Sequence, residues 1–168
     1  GLREDGVQDA LHTAGAADAA RVEAERARRS TWSRKRARRM IDHISIAVSD
    51  LGAAERFYEA VLAPLGMSRL VEREATVGFG KRYPELWLNL RRDMGRVSDG
   101  TGAHVALRAR SKEAVIAFHD AAVAAGGRSD GAPGPRQAAM TTYFGAFVRD
   151  LDGNKIEALT FPDPAGGA

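Results

Sequence analysis

Two stretches of this chain are laid out on the same ruler. His43 is followed 14 residues later by Phe57, and His104 is followed 14 residues later by Phe118. His43 precedes Gly66 by 23 residues, and His104 precedes Gly127 by 23. A common offset at three landmarks marks an internal repeat, and a repeat fixes the architecture as copies of one supersecondary unit. Each copy opens with period-two alternation, Ile41 to Val48 in the first and Ala103 to Arg108 in the second, which reads as a strand. Each continues into a helix. Asp50 caps one over Leu51–Ala63, with Leu51, Ala54, Tyr58, Val61 and Leu62 on one face; Ser111 caps the other over Ser111–Ala125, with Val115, Phe118, Ala122 and Ala125 on one face. Pro64 and Gly66 stop the first, Gly126-Gly127 the second.

Short strands follow each helix. The first half offers Ser68–Glu72, Thr76–Gly80 and Glu85–Leu90, then a polar linker from Arg91 to Gly102. The second half ends in Thr142–Arg149 and Lys155–Phe161, joined by Asp150-Leu151-Asp152-Gly153-Asn154, where Asp-Gly is a hairpin signal. Between helix and strands, Gly131 to Met140 is rich in Gly and Pro and reads as a loop, a candidate lid. The fold class is therefore α+β.

Alternation also sorts the strand residues by face. Ile44, Ile46 and Val48, then Val105 and Leu107, Ile156 and Ala158, and Leu86, Leu88 and Leu90 form aliphatic faces that must cover the helices. The opposite faces carry His43, Ser45 and Ala47; His104, Ala106 and Arg108; Glu157, Leu159 and Phe161; and Glu85, Trp87 and Asn89. His43, His104 and Glu157 thus fall on the helix-free side. Two imidazoles and a carboxylate are a ligand set for Fe, Mn, Ni, Co or Zn as the divalent ion, with positions left open for water and substrate. The plainer reading is that each His is hydrogen-bonded and that Glu157 pairs with an arginine such as Arg108. Trp87 is either an aromatic wall for a planar ligand or packing beneath a loop. Arg136 either clamps an anion or is a solvated charge. His119 matches Tyr58 in the repeat and reads as helix-flank packing.

Composition removes other classes. With no cysteine, disulfides, thiolate nucleophiles and cysteine-ligated metals are excluded. No apolar run approaches a membrane span, and no segment reads as a secretory signal, so a cytoplasmic location is expected. Residues 1–39 hold ten Lys/Arg against six Asp/Glu, leaving fifteen against sixteen for the rest, so the basicity belongs to the N-terminal segment. A fold-wide nucleic-acid footprint is absent. The segment reads as a solvated Ala/Arg-rich arm, or as sequence upstream of a natural start at Met40. The expected division is an arm over 1–39, a folded domain over 40–162 and a tail over 163–168.

The segments Asp42-His43-Ile44-Ser45-Ile46-Ala47-Val48-Ser49-Asp50, Phe57-Tyr58-Glu59-Ala60-Val61-Leu62-Ala63-Pro64-Leu65-Gly66, His104-Val105-Ala106-Leu107 and Phe147-Val148-Arg149-Asp150-Leu151-Asp152-Gly153-Asn154-Lys155-Ile156-Glu157-Ala158 together resemble the vicinal oxygen chelate superfamily. Glyoxalase I, extradiol dioxygenases and bleomycin-resistance proteins belong to it. The resemblance spans Met40 to Phe161. It implies two paired βαβββ modules forming a half-open, cup-shaped sheet, and a homodimer. It places His43, His104 and Glu157 at three metal positions, with Glu157 also catalytic. The fourth position, Glu or Gln in glyoxalase I-like members, matches Trp87 here, with Glu85 as a substitute if the register differs. Trp87, Glu85, Arg108, Arg136 and Tyr143 are the candidate substrate contacts. The implied function is a divalent-metal enzyme of the glyoxalase or dioxygenase type, a lyase or dioxygenase acting on a small substrate with vicinal oxygens. The alternative is a metal-free protein that sequesters a small molecule.

Overall fold

The computed structural model describes residues 41–138 and 140–161. The expectations for the arm over 1–39 and the tail over 163–168 lie outside the described residues. In chain order the elements are β1 (Ile44–Val48), α1 (Leu51–Leu62), a 3-10 turn (Ala63–Leu65), β2 (Ser68–Arg73), β3 (Thr76–Gly80), β4 (Pro84–Leu90), a second 3-10 turn (Asp99–Thr101), β5 (Val105–Arg108), α2 (Lys112–Ala124), β6 (Arg128–Gln137), β7 (Thr142–Arg149) and β8 (Lys155–Thr160). They form two open four-stranded sheets of identical order, β1-β4-β3-β2 and β5-β8-β7-β6. In each, the first strand runs parallel to the last and the other pairings are antiparallel. These are two paired βαβββ modules.

Local chemistry sets the element ends. The Asp50 carboxylate accepts from Ala53 N–H at 2.9 Å and the Ser111 hydroxyl from Ala114 N–H at 3.2 Å, each filling one of the donors a helix start leaves open. Gly66 closes the first helical segment at φ 73°, a left-handed conformation that favours glycine.

The hydrophobic core lies between the helices and the aliphatic sheet faces. Phe57, Tyr58, Val61 and Leu62 of α1 are fully or nearly fully buried with Val77, Phe79, Leu86 and Leu88; Val115, Phe118 and Ala122 of α2 are buried with Ala146, Val148, Ile156 and Ala158. The modules meet on this helix side. The helices α1 and α2 pack against each other, and α2 also contacts the Ala63–Leu65 turn. The approach is close enough that a Cβ on Gly127 would stand 2.8 Å from the Phe57 ring.

The β7–β8 turn completes the joint. Asp150, 3% exposed, accepts from the Tyr58 hydroxyl on α1 at 2.8 Å, from the Asp152 and Asn154 backbone at 3.0 and 2.7 Å, and from the Asn154 side chain at 2.8 Å. The Asn154 amide also donates to Ala47 O at 3.0 Å, and Asp152 accepts from the Ser49 N–H at 3.1 Å and from its hydroxyl. Gly153, at φ 91°, supplies the reversal this turn requires. The hairpin signal read from Asp-Gly is therefore also the clasp between modules.

The segment expected to be a lid is instead a strand. Gly131 to Gln137 belongs to β6, paired with β7 through two register shifts. It is the outermost strand of its sheet, so Pro133 and Pro135 remove donors where bulges and a free edge tolerate the loss.

Candidate functional site

The helix-free face of the second module gathers the chemistry. His104 lies just before β5 and Glu157 is on the central strand β8, opposite Ala106 of β5 and Phe147 of β7. His104 Nε2 stands 3.2 Å from Glu157 Oε2, and the imidazole meets the Phe147 ring edge-on at 5.7 Å. Glu157 is 3% exposed, and its Oε1 is a buried side-chain oxygen without a hydrogen-bond partner. A carboxylate oxygen left bare in this way is costly unless a ligand, an ion or a proton meets it. Tyr143 stands beside the same carboxylate. Burial, then hydrogen bonding and charge from Glu157, push its phenol above the usual range, although the contact falls short of a well-directed hydrogen bond.

Arg136 is paired with Tyr143 across β6 and β7, on the strand and not on a lid. It is half-buried, with Nη2 donating to Ala132 O at 2.7 Å and Nη1 to Pro135 O at 3.1 Å. Arg108 is exposed on β5, its guanidinium 4.3 Å over the Phe161 ring. It does not pair with Glu157; His104 holds that place. His119, on the flank of α2, meets the Ser129 hydroxyl at 2.8 Å, in keeping with a packing role.

In the first module the helix-free face carries Trp87. The registers make its equivalence plain: Trp87 pairs with Ser45, two residues past His43, and Glu157 pairs with Ala106, two residues past His104. The register does not shift to bring Glu85 into that slot; Glu85 is half-buried two residues earlier. Trp87 is half-buried, with the Arg73 guanidinium 5.8 Å over its ring. Gly78, its partner on β3, makes room for it: a Cβ there would stand 3.0 Å from the indole.

The expected union of His43, His104 and Glu157 does not occur within one chain. Among the described residues no three His, Asp or Glu side chains gather where they could hold a metal ion. The modules meet through α1, α2 and the β7–β8 turn. Within the chain the donors present fit a divalent ion in part, as one imidazole and one carboxylate with an orphaned oxygen.

Sequence reading passed over a second polar cluster. Arg149, 4% exposed, donates to Asp130 at 3.2 Å, to Gly153 O at 3.1 Å and to Asp99 O at 2.9 Å. Lys155 lies 2.9 Å from Asp130 and 4.6 Å over the Phe147 ring. Lys155, and then Arg149, hold the Asp130 carboxyl below its usual range. Arg128 joins the same two carboxylates, and each cation of the cluster has a carboxylate partner, so it serves as a brace under the turn. Its only sequence signal was an arginine at an otherwise aliphatic strand end.

Among the described residues, no helix is long and apolar enough to cross a membrane. The family model described as Glyoxalase/Bleomycin resistance protein/Dioxygenase superfamily matches residues 40–158. No curated protein matches. Among solved structures, a glyoxalase/bleomycin resistance protein from Albidiferax ferrireducens is 31% identical, with a TM-score of 0.65 over 72% of this chain and 98% of its own. A glyoxalase-related enzyme from Fulvimarina pelagi is 21% identical, with a TM-score of 0.56 over 77% of this chain and 96% of its own. A glyoxalase I variant from Zea mays is 22% identical, with a TM-score of 0.55 over 70% of this chain and 44% of its own. The last two share the fold.

Proposed function

This chain belongs to the Glyoxalase/Bleomycin resistance protein/Dioxygenase superfamily, and from that premise we propose that it is a divalent-metal-dependent enzyme acting on a small substrate with vicinal oxygens, its site completed by a second copy of the chain. The observation that carries this reading is Glu157: buried, 3.2 Å from His104 through one oxygen, and without a partner on the other. His104 and Glu157 supply two ligands, and His43 from a second copy supplies the third. Bound there, the ion supplies Lewis acidity toward a substrate that chelates through two oxygens. The chain's own groups do the rest. Tyr143 brings a phenol, held in its neutral form, next to the carboxylate. Phe147 packs edge-on against the imidazole and helps to fix its orientation. Glu157 Oε1 is free to take a ligand position or to accept a proton from the substrate.

The test is metal content. Protein prepared without chelator or metal-binding tag is expected to bind about one divalent ion per subunit. His104→Ala and Glu157→Gln each abolish this while circular dichroism stays unchanged, because both side chains stand outside the aliphatic core. Full stoichiometry in either variant would defeat the assignment of these two ligands.

Trp87 favours a second reading, a metal-free protein that sequesters a planar compound. An indole occupies the first-module position equivalent to Glu157, with Arg73 over its ring. Wild-type protein that binds no ion at neutral pH would support it.

A further inference from the structure

Side chains cross the helix-free face of the second sheet in rows. One row runs Ala106, Glu157, Phe147. The next runs Arg108, Leu159, Gly145, Gly134. Beyond it Tyr143 pairs with Arg136, and the Phe161 ring lies 6.0 Å from that of Tyr143. Arg108 stands 4.3 Å over Phe161. An aromatic pair is thus bracketed by an arginine at each end, two rows from Glu157. The two glycines make the arrangement. A Cβ on Gly145 would come within 2.8 Å of the Tyr143 ring and 3.2 Å of Glu157 Oε1, and one on Gly134 within 3.3 Å of Arg136 Nη1. The large side chains therefore lie down over a bare backbone floor, where a flat ligand meets rings and guanidinium together.

Charge marks the same place. At the other end of the sheet Arg128, Arg149 and Lys155 share the carboxylates of Asp99 and Asp130. Arg136 and Arg108 have no carboxylate partner among the described residues. The two backbone carbonyls that Arg136 holds use two of its five N–H groups, and the remaining donors keep the planar fork that suits an oxyanion. Glu157, on the same face, is met by His104 instead. A half-buried guanidinium with spare donors and no carboxylate partner among the described residues suits an oxyanion.

Resting on the reading of this face as the binding site, we propose that its ligand is a planar ring bearing an oxyanion group, the oxyanion held by Arg136 and the ring laid against Tyr143 and Phe161. Arg108 closes the far end through its stacking on Phe161.

The test compares benzoate, phenylphosphonate and neutral benzamide by calorimetry on the full chain, with EDTA present throughout. At least one of the two anions is expected to bind about tenfold or more tightly than benzamide, and the stronger anion identifies the oxyanion as carboxylate or phosphonate. Arg136→Gln removes the preference; Arg136→Lys, which keeps the charge and loses the fork, retains part of it, an outcome a folding defect would not give. Three probes binding alike, no binding by any of them at millimolar concentration, or an undiminished preference in Arg136→Gln would each overturn the proposal. Because EDTA removes metal from the comparison, the outcomes separate. Discrimination without any metal stoichiometry leaves this inference standing and ends the metalloenzyme reading, and metal binding without discrimination does the reverse.

Discussion

Tyr58 shows how one side chain couples the two halves. It is fully buried on α1, packed edge-on against Phe57 at 5.2 Å, and its hydroxyl reaches Asp150 in the other module at 2.8 Å. Tyr58→Phe keeps the ring and removes the bond, leaving a buried acceptor short of one donor. The expected cost is about 1–3 kcal/mol, read from the urea midpoint at constant slope. The same contact sets a pH dependence. Burial, then the charge and hydrogen bond of Asp150, push the Tyr58 phenol well above its usual range. A group raised in the fold stabilises it fully below the unfolded pKa, about 10 for tyrosine, and loses that contribution as pH rises toward the folded value. Stability should therefore fall as pH climbs above about 10, and Tyr58→Phe should fall less steeply over that range. Equal alkaline slopes in the two proteins would assign the loss elsewhere. Asp150 has the same sign in the acid range. Burial raises its carboxyl, so its contribution is greatest at low pH and declines as pH rises through the raised value.

At the scale of elements, helices were the easiest to read and β6 the hardest. Both helices begin with a cap residue and present a stripe at helical spacing, and both are found within a residue or two of the expected limits. The cap on α1 has no acidic residue in the first turn to assist it. Asp50→Ala is expected to lower stability by about 1 kcal/mol, seen as a shift in thermal midpoint with no change in binding, since Asp50 lies on the helix side of the module. β6 has Gly131, Pro133, Gly134 and Pro135, a composition that denotes a loop wherever ladder donors are needed. Only its place at the sheet edge, beyond β7, allows that composition to pair. The error moved Arg136 from a lid to a fixed site beside Tyr143, where its direction is set by the sheet.

For the whole molecule, no three His, Asp or Glu side chains among the described residues gather to hold a metal in one chain. On the proposed reading, a second copy would supply the missing imidazole by facing its first module toward this second module. Subunit complementation tests this directly. His43→Ala and His104→Ala proteins, each expected to bind no metal, are mixed after mild unfolding and refolded together. A heterodimer then holds one site with both substitutions and one with neither, so about a quarter of the wild-type metal stoichiometry should return. A site built within one chain would return none. Light scattering on the wild type should report the mass of two chains.

The sequence determined the repeat, the α+β class, the helices and the residues that share each sheet face. These follow from period-two and helical spacing, cap residues and turn glycines, all of which act over a few neighbouring residues. Alternation also put Trp87 and Glu157 on helix-free faces, while the match of Trp87 to the fourth ligand position came from the family resemblance and its equivalence to Glu157 from the strand registers. Tertiary structure decided which faces look at each other. That depends on the fit of α1 to α2 and on the grip of Asp150, Asp152 and Asn154 on Tyr58, Ser49 and Ala47. These contacts join residues about a hundred positions apart, for example Ser49 and Asp152 at a separation of 103. No local pattern encodes such a pairing, because what selects it is the packing of two finished modules. Alternation could say that His43 and His104 both stand on helix-free faces; only the docked structure shows that they do not gather with Glu157 within one chain.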